Sequence, residues 1–163
     1  MTLLAIDGPA GAGKTTLAAK FAAQFSRSST VQIIHMDDLY SGWDDALSGD
    51  LTLTLKRILV AHKEKREFTI QKFNWNSMNF DQTQVIAPTD VLILEGVGAA
   101  QRIVRAAGAT TYWLDIEPEI GLQRVLARDG AHLAGLMQQW QIDQATHFRN
   151  DQTRENCGYK ITS

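Results

Sequence analysis

A glycine-rich segment near the start of the chain has the residue types of a phosphate-binding loop. Residues 8–15 read Gly-Pro-Ala-Gly-Ala-Gly-Lys-Thr and match the pattern G-x-x-x-x-G-K-[ST]. The glycines let backbone N–H groups turn towards a phosphate, Lys14 would reach the β and γ phosphates, and the Thr15 hydroxyl would bind Mg²⁺. The segment therefore predicts a nucleotide site. Its predicted contact residues are Gly8, Ala10, Gly11, Ala12, Gly13, Lys14, Thr15 and Thr16.

Acidic residues follow two later apolar runs. Asp37 and Asp38 come after residues 31–36, and Glu95 comes after residues 91–94. Ligands of an open parallel sheet bind beyond the carboxyl ends of its strands, so we expect these acids to lie near Lys14. Mg²⁺ takes only one or two carboxylates and keeps several waters. We therefore predict Thr15, Asp37 and Glu95 as the metal site, held directly or through water.

One of these acids is also a candidate base. Phosphoryl transfer to an alcohol needs a group that receives the hydroxyl proton. We predict that Asp37 orients the acceptor and receives this proton, although the sequence does not decide between Asp37 and Asp38. The competing interpretation is a solvated loop or a helix cap, where aspartate is common.

Two arginines are spaced to act on the same phosphates. Arg124 and Arg128 are four residues apart and share one face of a predicted helix. A guanidinium beside a transferring phosphoryl group offsets the charge that develops there, so both are candidates for a catalytic role, and the resemblance to small P-loop kinases favours at least one of them. Residues 124–129 resemble the arginine-bearing lid that small P-loop kinases close over the phosphates, which implies a short lid near residues 124–135 whose closure excludes water. The alternative is a pair of solvated arginines on an amphipathic helix.

Apolar runs and helical patterns alternate along the chain and would position these residues. Strands are predicted at residues 2–7, 31–36, 68–75, 91–94, 111–116 and 159–162. Helices are predicted at residues 14–25, 51–62, 99–107, 119–129 and around 133–140. The alternation predicts an α/β three-layer sandwich with a central parallel sheet of about five strands, as in P-loop NTPases.

Length and composition narrow the class of protein. The 163 residues fit one domain, residues 1–163, and the formal net charge of −2 argues against nucleic-acid binding by bulk charge. One cysteine excludes an internal disulfide and a multi-cysteine metal site. The sequence has no transmembrane-length apolar run and no signal-peptide pattern at its start. We expect a cytoplasmic protein with no nucleic-acid or membrane partner.

Other phosphate-loop classes fit less well. The motifs N-K-x-D and D-x-x-G, usual in GTPases, are absent from the sequence, and motor-type ATPases are normally longer. By elimination we expect a small kinase that uses ATP and Mg²⁺ and a small-molecule acceptor. Its oligomeric state is left open.

The motifs together resemble a known family. Residues 8–15, the Met-Asp-Asp-Leu-Tyr of residues 36–40 and the Ile-Leu-Glu-Gly of residues 93–96 are similar to the uridine kinase-like group of P-loop nucleoside kinases. The similarity extends from Gly8 to about Gly130. It implies ATP and Mg²⁺ as cofactors, a nucleoside as the acceptor, Asp37 at the position of the base and Glu95 as an acid that helps to bind Mg²⁺.

The same resemblance suggests how the acceptor is held. Where family members place Tyr-Asp-aromatic, residues 73–75 read Phe-Asn-Trp, and we expect Asn74 to hydrogen-bond an acceptor hydroxyl. Tyr40 and Trp75 would contact the acceptor with their rings. The chain is shorter than typical members, so we expect it to lack their substrate-covering hairpin.

Two alternatives remain from the sequence. Residues 5–13 also resemble cytidylate kinases, which phosphorylate a nucleoside monophosphate. A protein of another class, an ATP-binding switch or weak ATPase module, would need the phosphate loop without the acids and paired arginines. Stimulation of ADP release by an acceptor separates a kinase from such a switch.

Overall fold

The structure is a computed structural model that describes residues 1–162. The strands are β1 (Thr2–Asp7), β2 (Val31–His35), β3 (Phe68–Asn74), β4 (Asn79–Ile86), β5 (Val91–Glu95), β6 (Thr110–Asp115) and β7 (Tyr159–Thr162). The helices are α1 (Lys14–Phe25), α2 (Gly49–Lys63), α3 (Arg102–Ala106), α4 (Pro118–Asp129), α5 (Ala134–Asp151) and α6 (Thr153–Asn156). Short 3-10 turns occupy Met36–Asp38 and Ala131–Leu133.

Five strands form a parallel sheet in the order β2-β5-β1-β6-β7. In its register, Glu95 at the end of β5 lies beside Ile6 of β1 and His35 of β2. The carboxyl ends of these three strands therefore meet at one edge, as parallel pairing requires. The predicted five-stranded parallel sheet is confirmed.

Strand β5, which lies between β2 and β1, shows why helices cover both faces of the sheet. All five of its residues are buried, and alternate residues pack into different clusters. Leu92 and Leu94 pack with residues of α2, α3 and α5, whereas Val91 and Ile93 pack with residues of α1. Because side chains alternate across a strand, one apolar run supplies both cores. The predicted three-layer architecture is confirmed.

A second, antiparallel sheet stands apart from the first. β3 and β4 form a hairpin in which Phe68 pairs with Ile86 and Asn74 pairs with Asn79. The sequence predicts a strand only at residues 68–75 and no hairpin. The absence of a hairpin was a wrong prediction. Most of β4 is exposed, and its sequence lacks the apolar alternation of a half-buried strand. The sequence therefore gave no sign of this strand.

The predicted lid comprises the end of α4, the turn at Ala131–Leu133 and the first residues of α5. Gly130 separates the two helices with a φ of 112°, a conformation that favours glycine. Helix α3 is shorter than predicted and begins at Arg102, because residues 96–100 form a loop whose backbone N–H groups donate to Asp7, the residue before the phosphate loop. Within residues 1–162, no helix has the length and apolar character needed to cross a membrane.

Candidate active site

A cavity of about 610 Å³ opens at the edge of the sheet where β1, β2 and β5 end. The phosphate loop, the turn after β2, the loop after β5, the tip of the hairpin, α4 and α5 all contribute to its walls. Twelve predicted site residues line it: Ala10, Gly11, Gly13, Lys14, Thr15, Thr16, Asp37, Tyr40, Trp75, Glu95, Arg124 and Arg128. Gly8, Ala12 and Asn74 do not line it.

The phosphate loop is packed closely against α4. A Cβ on Gly11 would lie 2.4 Å from the carbonyl oxygen of Gly121, and a Cβ on Gly121 would lie 2.7 Å from the carbonyl oxygen of Ala10. Gly11 also has a φ of 82°, so its backbone is in the left-handed region. Glycine at both positions therefore lets the loop and the helix touch backbone to backbone.

Lys14 lies across this loop with its amine held by main-chain oxygens. Its Nζ donates hydrogen bonds to the carbonyl oxygens of Gly8, at 2.8 Å, and Pro9, at 2.7 Å. Burial lowers the pKa of Lys14, whereas the nearby carboxylates of Asp7, Asp37 and Glu95 act to raise it. The amine is thus a buried cation surrounded by acids, placed where phosphate oxygens could replace the two carbonyls.

Thr15 and Glu95 bring two oxygen ligands together. The Thr15 hydroxyl donates to Glu95 Oε1 at 3.1 Å, and the same oxygen contacts Nδ1 of His35. This contact with Glu95 raises the pKa of His35. Glu95 is only 5% exposed, at the end of the buried strand β5. A hydroxyl and a carboxylate at the mouth of a phosphate loop suit Mg²⁺.

The residues present fit a magnesium ion shared with a nucleotide. Within residues 1–162, no group of three or more His, Cys, Asp or Glu side chains could hold a metal by itself. Mg²⁺ is commonly bound by one or two carboxylates, with phosphates and water as its other ligands. The Thr15–Glu95 pair matches this mode, and Asp37 lines the same cavity.

The two neighbouring aspartates have different surroundings. Asp37 is exposed at the cavity, where partial loss of solvent raises its pKa and Glu95 adds to the rise, while Lys14 and Arg128 oppose it. Asp38 instead forms an ion pair with Lys72 of β3 at 3.0 Å. The geometry therefore favours Asp37 over Asp38 as the acid that meets an acceptor.

The predicted aromatic contacts both lie at the cavity, and each is fixed by a hydrogen bond. The Tyr40 hydroxyl donates to the carbonyl oxygen of Val97 at 2.7 Å, and burial raises its pKa well above the usual value. Trp75 donates its indole N–H to the main-chain carbonyl of Asp37 at 3.1 Å. The indole therefore connects the hairpin to the candidate base.

Asn74 lies outside the lining of the cavity, and its side chain forms hydrogen bonds within the hairpin. Its Oδ1 accepts the backbone N–H groups of Asn76, at 2.9 Å, and Ser77, at 3.3 Å, and its Nδ2 donates to Asp81 at 2.9 Å. These bonds organise the turn of the hairpin, as asparagine side chains often do. The amide is used inside the hairpin and lies outside the cavity lining.

Gly8 and Ala12 do not line the cavity, but they form hydrogen bonds that support the phosphate loop. Gly8 supplies the carbonyl that Lys14 contacts, and its N–H donates to Asp7 at 2.8 Å. Ala12 is buried, and its N–H donates to the carbonyl of Pro9 at 3.2 Å. Both positions shape the loop without facing the cavity.

Sequence reasoning missed Asp7, which joins the two loops of the site. Its fully buried carboxylate accepts N–H groups from Gly8, Gly98 (3.0 Å) and Ala100 (2.8 Å). Burial raises its pKa, and the backbone donors and Lys14 oppose the rise. The sequence does hold one sign of this role: Asp7 ends an apolar run, and a carboxylate buried there needs hydrogen-bond partners.

Gln144 of α5 supports the loop from another side and was also missed. Its Oε1 accepts the N–H of Ala10 at 3.0 Å, and the residue is 5% exposed. A single glutamine within a helical pattern carries no sequence signal of such a contact. Only the packing of α5 over the loop reveals it.

The two arginines lie on the wall formed by α4. Arg124 donates from Nη1 to the carbonyl oxygen of Gly11 at 3.3 Å, so it contacts the phosphate loop directly. Arg128, which is also exposed, is held by its neighbour Asp129 through two hydrogen bonds, at 2.7 and 2.6 Å. Both guanidinium groups border the space beside Lys14.

The strand order, the glycine-rich loop after β1 and the acids at the neighbouring strand ends define a P-loop nucleotide-binding fold of the kinase type. Solved structures agree. The chain matches a proposed uridine kinase from Bacillus stearothermophilus with a TM-score of 0.68 and 16% identity, over 98% of this chain and 88% of that one. It matches a proposed fructose transport system kinase from Silicibacter sp. TM1040 with a TM-score of 0.74 and 16% identity, over 98% and 88%.

A shikimate kinase from Bacteroides thetaiotaomicron is similar as well, with a TM-score of 0.57 and 18% identity, over 99% of this chain and 86% of that one. No protein-family model and no curated protein sequence matches the chain. At these identities the similarity establishes the fold. It confirms the fold implied by the uridine kinase-like motifs, and the three similar structures are those of kinases whose names indicate different acceptors.

Proposed function

We propose that the chain is an ATP- and Mg²⁺-dependent kinase that transfers the γ-phosphoryl group to a hydroxyl of a small molecule, most simply a nucleoside. One observation carries the proposal: Asp37 faces the same cavity as Lys14 and the Thr15–Glu95 pair. A protein that only bound nucleotide would need the loop, but it would not need a second acid across the cavity. That acid is where an acceptor hydroxyl would bind.

The phosphate loop would hold ATP. The first turn of α1 lines the cavity, and the initial N–H groups of a helix have no intrahelical acceptor and attract phosphate. Lys14 would exchange its two carbonyl acceptors for phosphate oxygens. Thr15 and Glu95 would hold Mg²⁺, with Asp37 as a further ligand or a partner through water.

The transfer itself is a simple exchange of bonds. ATP supplies the γ-phosphoryl group, whose bond to the bridging oxygen of ADP breaks as a bond to the acceptor oxygen forms, and Mg²⁺ offsets phosphate charge. The Asp37 carboxylate accepts the proton that leaves the acceptor hydroxyl. Arg124 and Arg128 stabilise the charge on the transferring group from the α4 side.

The nucleoside acceptor is supported by the uridine kinase-like motifs at residues 36–40 and 93–96. It is also supported by the hairpin, since the chain has an element that could cover a substrate next to Asp37. The rings of Tyr40 and Trp75 at the cavity suit the base or the sugar of such an acceptor.

An acceptor screen tests the proposal. ADP production is followed with ATP and Mg²⁺ held constant, alone and with nucleosides, sugars, other small alcohols and cytidine monophosphate. We expect a low basal rate and strong stimulation by one neutral alcohol, lost in Lys14→Ala and Asp37→Asn. A basal rate that no acceptor changes would favour an ATP-binding switch, and stimulation by cytidine monophosphate alone would favour a cytidylate kinase.

A further inference from the structure

A second cavity, of about 910 Å³, adjoins the candidate active site. Trp43 and Trp140 line both cavities, so their rings separate the two spaces. The other walls of the second cavity come from the segment before α2, the first turns of α2 and α3, and α5. Lys14, Thr15 and Asp37 do not line it, so a molecule bound there would not meet the residues proposed for phosphoryl transfer. Its volume is in the range of small-molecule sites.

Two buried nitrogen atoms at the second cavity have no hydrogen-bond partner within residues 1–162. One is Nε2 of Gln101, a side chain that is 4% exposed and whose Oε1 accepts the Thr52 hydroxyl at 2.7 Å. The other is Nε2 of His147. Both residues line the second cavity. Because a buried polar atom without a partner costs folding free energy and is rare in native proteins, this pair points to a partner from outside the chain.

The two nitrogen atoms lie on the same side of Gly98, beside one apolar side chain. A Cβ on Gly98 would be 3.5 Å from Nε2 of Gln101 and 3.6 Å from Nε2 of His147. The same point is 3.1 Å from Cδ2 of Leu47, which is half-buried and lines the second cavity. Leu47 belongs to the segment before α2, which has no helix or strand around it. A ligand group that replaced its Cδ2 methyl group would therefore reach both nitrogens.

A hydroxyl group suits these two atoms. The amide N–H of Gln101 can only donate, whereas an imidazole nitrogen accepts when it carries no proton and donates when it does. A hydroxyl has one hydrogen to donate and two lone pairs to accept with. It can therefore satisfy Gln101 and His147 together, whichever form the imidazole takes.

The charges that line the second cavity favour a cation at its mouth. One arginine, Arg102, lines it, and the acidic side chains that line it are those of Asp44, Asp45, Asp143 and Asp151. Asp151 is already paired with Arg105 of α3, so three carboxylates remain against one guanidinium. The carboxylates stay in the majority even if His147 carries a proton. The half-buried indole ring of Trp43 adds a further partner, since the face of an indole attracts cations.

We propose that the second cavity binds a small organic cation that carries a hydroxyl group. The hydroxyl takes the place of the Leu47 methyl group and contacts Gln101 and His147, and the cationic group lies among the aspartates and Trp43. The proposal goes beyond the kinase function, because this ligand has a site of its own and is not the phosphoryl acceptor.

Calorimetric titration of the unmodified protein tests the ligand class with three matched probes. Choline has a quaternary ammonium group and a hydroxyl, tetramethylammonium lacks the hydroxyl, and the third probe is the neutral alcohol in which carbon replaces the nitrogen of choline. We expect choline to bind at least about tenfold more tightly than either of the others. No binding of choline at millimolar concentration, or equal or tighter binding of either analogue, overturns the proposal.

Variants test where choline binds. His147→Phe keeps a ring and removes the unpartnered nitrogen, so choline should bind about tenfold more weakly and lose its advantage over tetramethylammonium. Leu47→Ala removes the methyl group that the hydroxyl replaces, so choline should bind more tightly. Asp37→Asn is the matched control and should bind choline as the unmodified protein does, because Asp37 lines only the candidate active site.

Other results would contradict a separate site. Unchanged choline affinity in His147→Phe, or weaker binding to Leu47→Ala, overturns the contact of the hydroxyl with the two nitrogens. Loss of choline binding in Asp37→Asn alone places choline in the candidate active site and overturns the proposal. If choline stimulates ADP production, choline is a phosphoryl acceptor, so the kinase function stands and the second site is wrong.

Discussion

The hydroxyl of Thr15 donates a hydrogen bond to the Glu95 carboxylate at 3.1 Å, although 80 positions separate the two residues in the sequence. Thr15 lies in the first turn of α1, and Glu95 is the last residue of β5, where it pairs with β1. The pair is the meeting point of the phosphate loop and the acidic strand end. A metal site built from it needs both elements in register.

Replacing Glu95 tests this pair. Glu95→Gln removes the anionic ligand while keeping the side-chain volume, so the Mg²⁺ concentration for half-maximal activity should rise about 10- to 100-fold. Titration of the initial rate with Mg²⁺ at fixed ATP measures this. Glu64→Gln, an exposed acid paired with Arg66, is the control and should leave the titration unchanged. An unchanged titration in Glu95→Gln would exclude Glu95 from the metal site.

The two aspartates after β2 should differ sharply in activity. Asp37→Asn removes the proton acceptor, so kcat should fall about 10²- to 10⁴-fold with little change in the KM for ATP. Asp38→Asn breaks only the ion pair with Lys72 and should cost less than about fivefold. Comparable losses in the two variants would contradict the assignment of Asp37 as the base.

The pH profile should carry the signature of Asp37. Because partial loss of solvent at the cavity raises the pKa of Asp37, the base stays protonated to a higher pH than an ordinary aspartate does. Activity should therefore rise with pH through this raised pKa, and the acidic limb should lie above that of an exposed aspartate. Rate measurements across pH check this, and Asp38→Asn should keep the same limb.

The same pKa has an opposite consequence for stability. A carboxyl whose folded-state pKa is raised destabilises the folded protein once pH exceeds its unfolded-state value, with the full effect above the folded-state value. Asp37→Asn removes this cost, which solvent screening of the exposed side chain keeps small, so the variant should melt at a slightly higher temperature than the unmodified protein at neutral pH. The difference should vanish in acid. A lower melting temperature at neutral pH would contradict the raised pKa.

The contact between the phosphate loop and α4 predicts a large effect of one methyl group. In Gly121→Ala the new Cβ would meet the Ala10 carbonyl, so the free energy of unfolding should fall by about 1–3 kcal/mol and ATP should bind more weakly. Gly135→Ala, in α5, places its Cβ in open space and should stabilise by about 0.5–1 kcal/mol. Urea unfolding and ATP titration measure both. Equal behaviour of the two variants would rule out the close contact.

Several elements follow from local pattern alone. The predicted bounds of β1, α1 and β7 agree with the structure, because apolar runs and helical spacing are properties of neighbouring residues. β4 escaped detection because its exposed, polar residues gain their strand conformation from pairing with β3. The hydrogen bonds that Asp7 accepts from Ala100 and Gln144 accepts from Ala10 were not predicted for a related reason, since each pair is far apart in the sequence.

The sequence by itself determined the phosphate loop and the sheet type, because left-handed backbone at the loop favours glycine and continuous apolar runs favour buried parallel strands. Tertiary structure alone decided which acid faces the cavity. Asp37 and Asp38 are identical in type and adjacent in sequence, and they differ because Lys72 of the hairpin holds one while the cavity receives the other. The hydrogen bond from Trp75 to the main chain of Asp37 also depends on tertiary structure, because it forms only where the hairpin packs on the turn after β2.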